Sequence, residues 1–318
     1  MGYIIPYILK KIIKNLIINC KCFLNKIYWE SVRFSLTLDK DFVIIKCIVI
    51  CYFGLFIKRS EGGIKLTDTK TLAYINMYAV LGTLENLCEL DDKAKEILSG
   101  LKKPVSVCFD VKHGPSATIK FTKSGCRMED GVRDCDIYIP LSSCEKFNGV
   151  IDGTVTPVPL KGLTKIGFLL KTFTALTDRL SEVMQPSEEA LKDRAFFELS
   201  TKLTFYTISV ALSQIGNQDK IGQASASYML DGDIAFCIKD GPAATIRVKD
   251  HHLVTIKEYP KKPRAIMQFD TIDLAYDLFN GKVNSLECIG KGTVEIRGML
   301  SMVDNMNRIL DRVALYLA

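Results

Sequence analysis

Two stretches of this chain, 127 residues apart, have closely similar sequences. Residues 107–120 are VCFDVKHGPSATIK and residues 234–247 are IAFCIKDGPAATIR, with identity at seven of the fourteen positions. Two more matches follow in the same order: the tripeptide FNG at residues 147–149 and 279–281, and residues 161–180 with residues 291–310. Three matches in one order indicate a duplicated unit, so the chain is expected to build a similar architecture twice.

The hydrophobic pattern predicts the same elements in both copies. Copy one begins with an amphipathic helix over residues 83–99, and copy two with a long helix that has Ser187 as N-cap and ends at Gly216. Strands, a short helix and a closing amphipathic helix follow; in copy two they lie at residues 234–238, 243–248, 253–257, 265–269, 271–279, 293–296 and from residue 300 onward. This order predicts an α/β (α+β) fold of two units, each a mainly antiparallel sheet packed with helices.

Length and composition agree with two folded domains. The 318 residues are 48% hydrophobic and 25% charged, which is the balance of a globular protein rather than a disordered chain. Eleven cysteines are too few for a disulfide scaffold, so we expect reduced thiols and a cytoplasmic protein. The predicted domains are an extension at residues 1–76, a more degenerate copy at 77–186 and a second copy at 187–318.

The positive charge of the chain is concentrated in its first sixty residues. They hold ten Lys and Arg against three acids, a net +7, which leaves −1 for residues 61–318 when the whole chain carries +6. The body of the protein therefore lacks the basic surplus of a nucleic-acid-binding domain, and no nucleic-acid partner is expected.

The first sixty residues allow two interpretations. Residues 42–57 form a 16-residue apolar run that contains Lys46, slightly short for a membrane-spanning helix, and residues 10–18 could form a basic amphipathic helix on a membrane surface. The protein would then be membrane-associated through residues 1–60. Alternatively, this stretch is upstream sequence and Met77 is the true start.

Groups suited to catalysis are scarce, so we do not expect an enzyme. His113, His251 and His252 fall in predicted turns. Cys126, Cys135 and Cys144 are spaced nine apart without a supporting histidine, which is a poor zinc pattern. No glycine-rich phosphate loop of a standard form is present, and no metal or cofactor is predicted.

Apolar side chains concentrate instead on the last elements of copy two. They are Met267, Phe269, Leu274, Leu278, Phe279, Met299, Leu300, Met302, Met306 and Leu310. Such a cluster is typical of an ordinary core, but flexible methionines also suit the wall of a cavity that accommodates an irregular apolar ligand.

Copy two resembles the sterol carrier protein type-2 (SCP-2) family of lipid-binding domains over residues 187–318. The resemblance rests on FNGKVN at residues 279–284, on GKGTVEIRG at residues 290–298 and on the apolar helix that begins at Met299-Leu300. Copy one resembles the family more faintly, because Val150 stands where copy two has Lys282 and the spacer contains Pro157 and Pro159.

The resemblance implies an apolar cavity in each unit and non-enzymatic binding or transfer of a lipid, either a fatty acyl chain, a phospholipid or a sterol. Binding would draw on the removal of ligand apolar area from water, at about 25 cal/mol per Å². The residues that it places in the lipid-binding site are Phe236, Ile246, Met267, Phe269, Leu274, Leu278, Phe279, Met299, Met302 and Met306. The closing helix is the expected gate.

Two other functions stay open. The units could be protein-interaction or dimerisation modules whose cavities are filled by their own side chains, which would make a homodimer. Alternatively, the chain could be an accessory domain of an acyl-transfer system, since SCP-2-like domains also occur fused to acyl-transfer enzymes.

Overall fold

The computed structural model describes residues 67–317, which contain two β-sheets. The four strands of the first sheet have the same order as the first four strands of the second, which has a fifth strand at its edge. The first sheet has the order β3-β2-β1-β4, with β1 Val105–Val111, β2 Ser116–Thr122, β3 Gly125–Asp130 and β4 Ile137–Leu141. The second has the order β7-β6-β5-β8-β9, with β5 Gly232–Ile238, β6 Ala243–Lys249, β7 His252–Ile256, β8 Ala265–Phe269 and β9 Val294–Gly298.

Ten α-helices accompany the sheets within residues 67–317. They are α1 Thr69–Tyr74, α2 Thr83–Leu90, α3 Asp92–Ser99, α4 Cys144–Ile151, α5 Thr174–Met184, α6 Arg194–Gln218, α7 Lys220–Ser227, α8 Ile272–Phe279, α9 Ser285–Gly290 and α10 Leu300–Leu317. A π-helix at Ile75–Leu81 continues α1, a second one at Phe168–Phe173 leads into α5, and short 3-10 turns lie at Leu163–Lys165 and Ala190–Lys192.

The predicted fold class is confirmed: the structure is a mixed α/β architecture with two mainly antiparallel sheets packed with helices. In each sheet a hairpin is extended by a third antiparallel strand, and a fourth strand pairs parallel to the first. Both hairpins turn at the same place, where His113 and Asp240 adopt positive φ angles of 60° and 54°.

Each sheet packs one face into its own hydrophobic cluster. The first cluster is centred on side chains such as Val107, Phe109 and Phe121, and the second on Phe236, Ile246 and others of the second sheet. The helical segment at residues 69–81 and helix α6 supply side chains to both clusters, so the two halves share these helices.

Several predicted helix boundaries are wrong. The helix expected at residues 83–99 is interrupted at Asp91, whose carboxylate accepts a hydrogen bond from the Ala94 N–H and so caps α3. Helix α6 begins at Arg194 rather than after Ser187, with Asp193 as its N-cap, and it continues past Gly216 to Gln218. A Cβ at Gly216 would lie 2.8 Å from the Leu253 side chain, so this glycine allows helix and strand to approach closely.

The first helical segment begins earlier than the predicted boundary at residue 77. Asp68 caps α1 by accepting a hydrogen bond from the Thr71 N–H, and Met77 is fully buried inside the π-helical continuation. The boundary at 186/187 falls between α5 and α6. Both boundaries stay predictions, and the expectations for residues 1–60 lie outside the described residues.

The two halves differ at the strand beside β4 and β8. Strand β9 pairs with β8 over five residues, whereas the first half has a single bridge between Tyr138 and Lys161. Gly162 and Gly298 have φ angles of 89° and 84°, and a Cβ at either would lie 2.2 Å from the backbone oxygen of the residue just before the neighbouring strand, Asp136 or Arg264. Gly162 therefore corresponds structurally to Gly298, and the predicted match with Gly292 is wrong.

Candidate functional site

The inner face of the second sheet positions four of the ten predicted lipid-binding residues. Phe236 is paired with Met267 across the parallel β5–β8 ladder, and Phe269 is paired with Ile238 in the same ladder. Ile246 lies opposite Ile234 on the other side of β5. Because paired and alternate residues share a face of a sheet, Phe236, Ile246, Met267 and Phe269 all point into the second hydrophobic cluster, where they are buried.

Four phenylalanine rings form the centre of this cluster. Phe236 stacks on Phe205 of α6 with ring centroids 5.0 Å apart and meets Phe269 edge to face at 5.4 Å. Phe279 at the end of α8 meets Phe269 edge to face at 5.6 Å. These are the geometries that aromatic pairs prefer, so the rings make a well-defined apolar wall between sheet and helices.

The closing helix α10 covers the cluster from the other side. Met302 and Met306 are fully buried, one helical turn apart on the same face, while Met299 just before the helix is partly exposed. Unbranched methionine side chains can change rotamer at small cost, so this helix face can adapt its shape.

A buried ionic network holds α10 in place. Arg312 pairs with Asp219 at 2.7 Å, and the Tyr316 hydroxyl donates to the same carboxylate at 2.8 Å. Asp219 is also the N-cap of α7, accepting from the Gly222 N–H at 2.9 Å. Burial opposes ionisation of Asp219, but the hydrogen bonds from Arg312, Gly222 and Tyr316 outweigh it and hold its pKa below the usual range.

The first half contains a matching network that sequence analysis missed. Asp91 caps α3 and accepts two hydrogen bonds from the Arg179 guanidinium of α5, at 2.8 and 2.9 Å. Burial again opposes ionisation, and the bonds from Arg179 bring the pKa of Asp91 below its usual range. In the sequence, the pair would be recognisable only as an aspartate at a helix N-cap and an arginine on the last helix of the first half. Asp91 and Arg179 are 88 residues apart, so no local pattern connects them.

Helix α8 is less deeply buried than its apolar sequence suggests. Among its eight residues only Ala275 is buried, whereas Leu274, Leu278 and Phe279 are partly exposed although they pack against the second cluster. All ten predicted lipid-binding residues thus belong to one cluster, six of them buried and four partly exposed. Their contact with a lipid stays a prediction.

Sequence analysis also missed the contribution of α6 to this site. Phe205 lies on a helix that is buried on several sides, so its apolar residues do not form one stripe. Asn217 near the end of the same helix exchanges two hydrogen bonds with the backbone of Leu253, at 2.7 and 2.8 Å. These two hydrogen bonds satisfy the Leu253 backbone groups on the open edge of β7 and fix α6 against the sheet.

The cysteines of the described residues lie at different places in the fold, some in pairs and some alone. Cys126 lies 3.6 Å from Cys88 by sulfur–sulfur distance, Cys135 lies beside Cys108 at the opposite face of the first sheet, and Cys144 begins α4. No group of three or more His, Cys, Asp and Glu side chains within residues 67–317 could hold a metal ion. Cys237 is buried, and burial raises the pKa of its thiol to about 11.

Part of the chain is similar to solved structures of SCP-2 domains. The solution structure of the sterol carrier protein domain 2 of Helicoverpa armigera is 16% identical, with a TM-score of 0.29, and the match covers 35% of this chain and 88% of that one. A crystal structure of sterol carrier protein 2 is 10% identical, with a TM-score of 0.27 over 34% and 92% of the two chains. The ubiquinone synthesis protein UbiJ-SCP2 is 12% identical, with a TM-score of 0.27 over 33% and 95%.

No family model matches the chain, and no curated protein matches it. The similarity to solved structures concerns about a third of the chain at low TM-scores. Within residues 67–317, no helix has both the length and the hydropathy needed to cross a bilayer.

Proposed function

We propose that the second half of this protein binds a lipid with an acyl chain, non-covalently, between the second sheet, α8 and α10. The observation that carries this proposal is the partial exposure of Leu274, Leu278 and Phe279 on α8. Exposed apolar area beside a buried aromatic wall is area that a lipid chain would remove from water, at about 25 cal/mol per Å².

The buried side of the site is suited to admitting a chain by rearrangement. Met267, Met302 and Met306 line it, and unbranched thioether side chains can repack around an apolar guest of irregular shape. All ten predicted lipid-binding residues are apolar, so they offer a ligand burial and shape, which supports a carrier.

The same proposal extends to the organisation of the chain as two SCP-2-like units, residues 77–186 and 187–318, after the extension at 1–76. Three observations support it: the shared strand order, the equivalent hairpin turns, and the buried Asp–Arg pairs at Asp91–Arg179 and Asp219–Arg312. The first unit would then be the structural partner of the second, because the phenylalanine of its FNG tripeptide, Phe147 on α4, is fully buried, whereas Phe279 on α8 is partly exposed.

Binding of a fluorescent fatty acid by the full-length protein tests the proposal. Leu278→Trp should fill the space beside α8 and reduce the affinity for the probe by about tenfold, the loss of roughly 1.4 kcal/mol of chain burial. The matched control is Lys146→Trp, since Lys146 occupies the same position in α4 of the first half and is exposed. Equal affinities for both variants would contradict the proposal.

One alternative has support of its own. Phe236, Ile246, Met302 and Met306 are fully buried by protein side chains, as they would be in an interaction or dimerisation module with filled cavities. Native mass spectrometry of the full-length protein, purified without added lipid, distinguishes the two. A co-purifying acyl lipid supports the carrier, whereas a lipid-free homodimer that takes up no fatty acid supports the module.

A further inference from the structure

One end of the first sheet exposes an unusual number of apolar side chains. Between residues 158 and 170, in place of a full fifth strand, five large apolar residues are solvent-exposed. Their exposed fractions are 67% for Val158, 73% for Leu160, 65% for Leu163, 36% for Ile166 and 70% for Leu170. Scattered exposed leucines are ordinary, but five in thirteen residues form a patch of the kind that marks an interaction site.

Three contacts fix where this segment lies on the sheet. Lys161 bridges to Tyr138 near the start of β4, and Lys165 contacts the Asp136 carboxylate just before that strand. The ring of Phe168 packs on Phe121 near the end of β2, with centroids 5.3 Å apart. The exposed segment therefore sits at the end of the sheet where β1, β3 and β4 begin and β2 finishes.

The same end of the sheet is strongly basic. Lys120 and Arg127 lie directly opposite each other on β2 and β3, and Lys123 is in the turn between them. Lys102 and Lys103 lead into β1. These five side chains are all exposed. Like charges opposite each other on neighbouring strands destabilise a sheet unless an anion offsets them, so an external anionic partner would be favourable here.

Acidic groups at this end only partly offset the charge. Asp134 pairs with Lys161 at 3.4 Å, and Asp136 pairs with Lys165. The four segments that meet here, residues 102–106, 120–127, 134–138 and 158–170, hold seven basic and two acidic residues. This surplus belongs to a body that carries a net −1 outside the first sixty residues, so it is a local feature.

The corresponding place in the second half lacks the excess positive charge. Arg247, which matches Lys120 in the strand register, forms a bidentate pair with Asp233. Opposite it on β7 stands Val254 instead of a second cation. Strand β9 occupies the position of the exposed segment. The combination of apolar exposure and excess positive charge is therefore specific to the first half.

We propose that this end of the first sheet docks on the surface of an anionic phospholipid bilayer, with Leu160, Leu163, Ile166 and Leu170 entering the interface. Exposed apolar side chains together with an excess of basic side chains at one end of a sheet are the chemistry that an anionic membrane surface binds. The docking surface is distinct from the apolar cluster of the second half. It does not require that cluster to hold a lipid, and a failure of acyl-probe binding would leave it intact.

Tryptophan fluorescence of the full-length protein tests the docking. The only tryptophan of the chain is Trp29, so Trp29→Phe provides a background in which Leu163→Trp reports its own position. The matched control in that background is Val254→Trp, an exposed apolar position on the second sheet. Vesicles of phosphatidylcholine with about a third phosphatidylserine should shift the Leu163→Trp emission to the blue, and brominated acyl chains should quench it; neither should affect Val254→Trp.

Removal of charge gives the second measurement. Lys120→Gln with Arg127→Gln should weaken vesicle binding of the Leu163→Trp protein about thirtyfold, since each cation near such a surface contributes about 1 kcal/mol. Lys261→Gln with Lys262→Gln removes the same charge from the second half and should have little effect. Circular dichroism confirms that each variant is folded.

Three outcomes would overturn the proposal. The first is no vesicle-induced change at residue 163. The second is an equal change at residues 163 and 254, which would assign binding to another part of the chain. The third is Leu163→Trp emission that is already blue-shifted without vesicles and unchanged by them, which would show that protein covers this surface.

Discussion

The two halves of this protein have the same strand order but bury corresponding residues differently. Phe147 on α4 and Phe279 on α8 are the first residues of the two FNG tripeptides, yet Phe147 is fully buried whereas Phe279 is partly exposed. Conversely, the second half covers β8 with the complete strand β9, while the first leaves an exposed apolar segment beside β4. The comparison shows that two halves with the same order of their first four strands can expose different apolar surfaces.

The largest expected effect concerns the feature that both halves share. Asp219→Ala would remove the Asp219 carboxylate from the buried Arg312, and Asp91→Ala would leave the buried Arg179 guanidinium with only the half-exposed Glu182 carboxylate. Loss of one partner of a buried ion pair costs about 3–5 kcal/mol, so both variants should lower the free energy of unfolding measured in urea by this amount.

The double variant Asp219→Leu with Arg312→Leu serves as the control, because it removes both charges together. It should be clearly more stable than Asp219→Ala. If Asp219→Ala cost less than about 1 kcal/mol, the ionic network would not anchor the closing helix.

The next effect separates the halves. Phe147→Ala should lower the free energy of unfolding by about 3–5 kcal/mol, the usual cost of deleting a fully buried aromatic side chain. Phe279→Ala should cost about half as much, because part of its ring is already in contact with water. Urea unfolding of both variants measures the difference, and equal losses would mean that α8 is packed as tightly as α4 in solution.

The smallest effect is the pH dependence of stability. The folded-state pKa values of Asp91 and Asp219 lie below their unfolded values, so protonation favours the unfolded chain. The stabilisation is fully present above the unfolded aspartate pKa of about 3.9 and is lost as the pH falls through the folded-state values. Urea unfolding at several pH values below about 5 should show this decline.

Asp91→Asn and Asp219→Asn provide the comparison between the halves. Each removes one titrating group, so the decline of stability in acid should become shallower by a similar amount in both variants. A decline as steep as in the unchanged protein would show that other carboxylates, such as Asp233 beside Arg247, dominate acid unfolding.

Much of the second half could be predicted from its sequence because its signals are local. Strand β8 at Ala265–Phe269 occupies the predicted residues, and α8 begins at Ile272, one residue after its predicted start. The two hairpins follow from a repeated turn between alternating apolar residues. The ten predicted lipid-binding residues lie in one cluster because they come from neighbouring elements with strong periodicity.

The misplaced features depend on contacts between distant residues. At the break between α2 and α3, Asp91 pairs with Arg179, 88 residues later, and within α6 Gly216 lies against the side chain of Leu253. Glycine is commonly a helix stop, but here it is a point of close approach, which only the packing of helix on strand reveals.

Taken by itself, the sequence determined the fold class and the apolar character of the second half, because periodicity and turn chemistry are properties of neighbouring residues. Only the tertiary structure decided which glycine of the first half corresponds to Gly298, which helices the two clusters share, and which apolar residues stay in contact with water. Burial depends on what lies across the fold from a side chain, and that information is distributed over the whole chain.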